Sequence, residues 1–173
     1  YYLKASLNGD SDAMIQLGKL YEEGIGCEKN VDEAIRWYKE AMEYGEEYGT
    51  HNLAMVYLNN GKEKEGFNLL YSNQKKTPAS KLELGRCYRD GIGCKVDEYK
   101  AFECFDDVVD STWYEYAGEL AECYYKGIGV DVDYESAYKC AYYYDPIESD
   151  NPKKFKKIID ALEELKCHHC GKF

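Results

Sequence analysis

The carboxy-terminal run CHHCGKF is the one place in this chain where residue types and spacing match metal chemistry. Cys167 and Cys170 form a C-x-x-C pair, which can fill two tetrahedral zinc positions with thiolate sulfur. His168 and His169 lie inside the pair and are badly placed to bind the same ion as both sulfurs. No second pair follows, so a zinc site here needs ligands from a further segment or a second chain. No other cofactor is expected.

Catalysis has little to work with. His51, His168 and His169 are the only histidines, and no Ser or Cys stands in a nucleophile motif. The carboxylates are spread over helix surfaces, and none is singled out as half of an acid pair. The expectation is that the chain is not an enzyme and takes no small-molecule substrate. Three GIG loops, after Gly24, Gly91 and Gly127, invite a phosphate-cradle reading. That cradle needs a strand before it and a helix amino terminus aimed at the anion. Here the preceding segment is helical in pattern and no GKS or GKT follows, so the loops are expected to be architectural.

Those loops belong to something larger. LGKLYEEGIGC from Leu17 returns as LGRCYRDGIGC from Leu84 and as LAECYYKGIGV from Leu120. Tyr21, Tyr57, Tyr88 and Tyr124 mark the repeat at separations of 36, 31 and 36 residues. A small residue follows at a fixed offset in three copies, as Ala34, Ala101 and Ala137; in the second copy it is Gly66, four positions early. The shortfall lies in the loop, where Asn59-Asn60-Gly61 replaces the GIG element. Each unit reads as helix, loop, helix. Ala13, Leu17, Leu20 and Tyr21 share one 3.6-residue face, as do Ala34, Trp37, Tyr38 and Ala41. Gly18, Gly85 and Ala121 allow close helix approach, and Gly24, Gly91 and Gly127 are expected as left-handed caps. Asp32 and Asp133 stand near the starts of second helices, where negative charge suits the helix dipole.

The eight cysteines fit the same frame. Aligned between repeats, Cys27 and Cys94 match Val130; Cys87 and Cys123 match Leu20 and Val56; Cys104 and Cys140 match Trp37 and Leu69. Replacement of apolar residues is the behaviour of a small buried hydrophobe. Reduced thiols, and therefore a cytoplasmic location, are expected. The alternative is a secreted protein with bridges between Cys87 and Cys104 and between Cys123 and Cys140, pairs that would each link the two helices of one repeat. Most of the nineteen tyrosines are expected in the core, Tyr21, Tyr38, Tyr57, Tyr88 and Tyr124 among them.

The 173 residues, 45% of them hydrophobic, suffice for one short repeat array. A net charge of −11 disfavours a nucleic-acid partner, and no apolar run is long enough to span a membrane. The chain starts at Tyr1 and not Met, and reads as a fragment or a processed product.

The repeat resembles the Sel-one-like repeat (SLR) family, relatives of tetratricopeptide repeats with a longer loop; the stretch from Ala13 to Gly45 carries the likeness most fully. The second repeat departs from it and resembles the tetratricopeptide form. The resemblance implies an all-α fold, a right-handed α-solenoid of helix-turn-helix repeats. Residues 1–9 read as the end of a preceding repeat, with repeats at 10–45, 46–76, 77–110 and 111–145. A C-terminal capping helix over 152–166 has Phe155, Ile158, Ile159, Leu162 and Leu165 on one face, and 167–173 form the C-x-x-C tail.

Carrying over the related repeat's groove positions puts Ile15, Lys19 and Glu22 on the inner row, then His51, Met55 and Leu58, then Leu82, Arg86 and Arg89, then Glu122 and Tyr125. These are expected to avoid the core, with Met55, Leu58 and Leu82 as exposed apolar groups beside a locally basic pair, Arg86 and Arg89. The implied function is a noncatalytic adaptor that binds a protein or peptide on its concave face. The alternative is a repeat segment of a larger regulatory or enzyme-bearing protein, with a zinc-binding module beyond the C-terminus.

Overall fold

A computed structural model describes residues 2–75, 77–112, 116–143 and 159–161. Every regular element among them is a helix: α1 (Tyr2–Ser6), α2 (Ser11–Glu23), α3 (Val31–Glu43), α4 (Glu47–Asn59), α5 (Glu63–Asn73), α6 (Pro78–Asp90), α7 (Glu98–Thr112), α8 (Ala117–Lys126) and α9 (Tyr134–Tyr143). They form two compact units. The first holds Tyr1–Leu84 with Ile92–Lys95, and the second Gly85–Gly91 with the chain from Val96 onward. Helices pack as consecutive pairs, α2 on α3 and α4 on α5 in the first unit and α8 on α9 in the second.

Local chemistry sets the helix ends. The Asp10 carboxylate accepts from Ala13 N at 3.0 Å to start α2, and Asn30 Oδ1 accepts from Glu33 N at 3.1 Å to start α3. Gly24 then ends α2 at φ 75°, its N–H donating to Leu20 O at 2.8 Å. In the second unit Gly127 does the same at φ 74°. The amino end of α3 is capped by Asn30, with Asp32 in the first turn beside it. Asp133 caps α9 directly, accepting from Ser136 N at 3.1 Å and from its hydroxyl at 2.6 Å, which holds the carboxyl below its ordinary range.

The small residues are there because large ones face them. A Cβ on Gly18 would meet the Tyr38 ring at 2.5 Å, and Tyr38 is fully buried. On Gly85 it would meet Phe105 at 2.6 Å, and on Gly66 the Leu58 side chain at 2.7 Å. Gly66 therefore holds the position that Ala34, Ala101 and Ala137 hold in the other pairs, all three fully buried. The core of the first unit gathers Met14, Leu17, Ala34, Trp37, Tyr38, Ala41, Leu53 and Val56. Tyr21, Tyr57, Tyr88 and Tyr124 are only half-buried, each at a core edge.

The cysteine expectation needs a correction. Cys87, Cys104, Cys123 and Cys140 are buried and Cys94 is half-buried, but Cys27 is exposed. It sits in the loop between α2 and α3, its thiol 3.6 Å from Leu20 O. All six described cysteines are thiols. The expected capping helix and the C-x-x-C tail lie outside the described residues, apart from helical residues 159–161. None of the described helices is long and apolar enough to cross a membrane.

Candidate interaction face

In the first unit, α2 and α4 are the leading helices of their pairs and touch each other. Between them runs an open groove of about 360 Å³, lined by Asp12, Ile15, Gln16 and Lys19 from α2 and by Tyr48 and Asn52 from α4. The spacing explains the lining: positions three, four and seven apart share one side of a helix. Ile15 forms the floor, at 5% exposure. Gln16 and Lys19 stand exposed on one rim, and Tyr48, 54% exposed, on the other.

Asn52 is the unusual member. Its Nδ2 is buried and has no hydrogen-bond partner among the described residues. A buried polar group without a partner costs free energy, so this amide is a liability to the isolated fold. His51, beside it, sits 3.2 Å from Ser80 Oγ. Ser80 belongs to a buried cluster in which Asn73 Nδ2 donates to Glu47 O at 2.9 Å and to Ser80 Oγ at 2.9 Å, with the Thr77 hydroxyl 2.7 Å from Ser80. Burial, then the Lys19 charge, holds the His51 imidazole below its usual pKa.

The other expected inner-row residues divide. His51, Met55 and Leu58 are half-buried on α4. Glu22 has a structural partner, accepting from Tyr38 Oη at 2.8 Å; burial followed by this bond raises the Tyr38 phenol. Ile15 and Leu82 do not avoid the core, each being 5% exposed. Ile15 joins the core because α4 packs over its side of α2.

The expected basic patch does not stand as a patch. In the second unit Arg86 Nη2 lies 2.9 Å from Glu119 Oε1, and Arg89 Nη1 lies 2.6 Å from Glu119 Oε2. Arg89 also pairs with Asp90 at 2.8 Å; this bond leads the causes that raise its pKa. One carboxylate from α8 thus pairs with two guanidiniums of α6, and Asp90 supplies a second negative charge beside them. Glu122, 7% exposed, is buried beside Lys126 at 2.5 Å and Arg89 at 3.9 Å. Tyr125 is half-buried against the Tyr134 ring, centroids 6.0 Å apart.

Sequence reasoning missed Asp12, Gln16, Tyr48 and Asn52. Asn52 did carry a signal, because an Asn inside a helix is disfavoured by propensity and needs a reason. No group of three or more potential ligands is assembled for a metal among the described residues.

The fold is therefore that of an all-helical repeat protein built from helix pairs. The Sel1 repeat family model matches residues 11–43, 78–106 and 113–143, more than half of the chain, and the chain belongs to that family. It is similar to DAP3-binding cell death enhancer 1 of Mus musculus, 35% identical over 57 residues, 33% of this chain and 11% of that protein. The Rattus norvegicus counterpart is 33% identical over the same shares. Among solved structures, a protective antigen of uropathogenic Escherichia coli strains displaying an SLR fold superposes with TM-score 0.80 at 27% identity, over 95% of this chain and 36% of that one. A Sel1 repeat protein from Oxalobacter formigenes gives TM-score 0.66 at 18% identity, over 88% and 74%. The chain thus spans about a tenth of the curated relatives and about a third of the antigen.

Proposed function

We propose that this chain is a noncatalytic binding segment that holds a protein partner in the groove between α2 and α4. The observation that carries the reading is the groove itself, which pairs an apolar floor with an exposed aromatic and polar rim on two leading helices. That combination suits a partner segment with one apolar anchor and flanking polar groups. Lys19 and Asp12 give it local charges of both signs on a protein of net charge −11. A relative named for binding DAP3 is consistent with a protein partner. The short span of the chain against its relatives favours a segment working within a larger protein. Six thiols fit a reducing compartment, and so a cytoplasmic one.

The test uses a peptide selected from a random library on the folded chain. Lys19→Glu with Tyr48→Ala is expected to weaken its binding at least tenfold by calorimetry. Tyr99→Ala, an exposed change on α7, should leave it unaltered. Equal affinity in both variants would remove the groove from the account.

A further inference from the structure

One hydroxyl proton in a buried cluster of the first unit has a single place to go. Asn73, Thr77 and Ser80 are 2%, 3% and 0% exposed, and His51 closes the cluster from α4. A hydroxyl oxygen accepts two hydrogen bonds and donates one. Ser80 Oγ accepts from Asn73 Nδ2 at 2.9 Å and from the Thr77 hydroxyl at 2.7 Å. Its own proton is left for His51 Nδ1, 3.2 Å away. The ring is therefore the neutral tautomer that carries its proton on Nε2.

A proton added at Nδ1 would turn that nitrogen from an acceptor into a donor. The ring could then stay bonded only if Ser80 turned its own proton onto Thr77. Thr77 Oγ1 already accepts from Ser80 N at 3.2 Å, and its displaced proton would find no acceptor among the described residues. A buried donor without a partner is costly, so the charged ring leaves instead.

Charged side chains stand on every helix around α4, with Glu40 on α3, Glu65 on α5, Lys81 and Glu83 on α6, and Glu47 on α4 itself. The one whose charge acts on the ring is Lys19 of α2, which repels an imidazolium. Burial and that charge together hold the imidazole below its usual pKa.

We propose that His51, Ser80, Thr77 and Asn73 form a proton-operated latch between α4 and the amino end of α6. The neutral ring takes the Ser80 proton and keeps α6 fastened; proton uptake at Nδ1 breaks that bond and frees the first turn of α6. Asn73 anchors the cluster to α4, its Nδ2 donating to Glu47 O at 2.9 Å. The chain would thus loosen at one seam in mild acid, while the apolar packing of α2 on α3 holds.

The isotopically labelled chain tests this by NMR. At pH 7 the His51 ring should show Nε2 protonated and Nδ1 bare. Hydrogen-exchange protection of the Ser80 and Lys81 amides should fall roughly tenfold or more at pH 5, with the α2 amides unchanged. His51→Gln, whose amide oxygen can take the Ser80 proton but does not titrate, should keep both amides protected at pH 5. Ser80→Ala should leave the Lys81 amide weakly protected at either pH and let His51 titrate closer to its ordinary value. A proton on Nδ1 at pH 7, no fall in the wild type, or a fall as large in His51→Gln would each overturn the latch.

Discussion

Arg89 Nη1 lies 2.6 Å from Glu119 Oε2, and this contact makes Glu119 the shared partner of both arginines that α6 contributes to the second unit. Glu119 is only 12% exposed, so the three charges are partly screened from water and depend on one another. Glu119→Ala is expected to destabilise by about 2 kcal/mol, since hydrogen bonds to charged groups typically carry 1.5–3 kcal/mol. The midpoint of urea unfolding measures it; a shift no larger than that of Glu135→Ala, in an exposed pair with Lys139, would mean the network contributes nothing.

Three glycines at one loop position give a graded test. Gly26, Gly93 and Gly129 all have φ near +70°, so alanine at each meets left-handed strain of about 1–2 kcal/mol. A Cβ on Gly26 would meet nothing within 4 Å, whereas on Gly93 it would collide with Glu63 O and on Gly129 with Glu98 O. Gly93→Ala and Gly129→Ala should therefore cost more than Gly26→Ala, by about 1–3 kcal/mol of overpacking. Equal thermal shifts for all three would contradict the close approach.

The repeat was legible because its tyrosines and glycines recur at fixed offsets, and each such offset reports a contact that must be rebuilt in every copy. Gly18 against Tyr38 and Gly85 against Phe105 are that contact in two pairs. The interaction face was less legible. Ile15 and Leu82 sit at groove positions by analogy, but their burial depends on which neighbouring helix covers them, and no periodicity within one helix encodes that. Arg86 and Arg89 read as a basic patch because their partner, Glu119, lies 30 or more residues away. Asn52 could not be recognised as an orphan from sequence, since the absence of a partner is a property of the folded surroundings.

Thiol reactivity should follow burial. Among the described cysteines, iodoacetamide on the folded chain is expected to modify Cys27 first and Cys94 more slowly, with Cys87, Cys104, Cys123 and Cys140 protected until unfolding. Burial pushes the Cys140 thiol up to about 11, which suppresses its thiolate further. Mass spectrometry of the time course reads the order; early labelling of Cys140 would contradict the packing of α9.

The His51 imidazole titrates below its ordinary value of 6.5 because it is buried and faces Lys19. The unfolded chain then binds a proton more readily than the folded one. Stability is fully present above pH 6.5 and is lost as pH falls through the depressed folded value. His51→Gln should flatten the His51 part of that slope between pH 7 and pH 5. An unchanged slope in urea titrations would show that His51 is not its source.

The central claim, that the groove between α2 and α4 receives a protein segment, is tested most directly by the NMR footprint of a library-selected peptide on the labelled chain. Shifts concentrated on Asp12, Ile15, Gln16, Lys19, Tyr48 and Asn52 are the expected result. A footprint confined to α7, α8 and α9, with those six residues undisturbed, would contradict it.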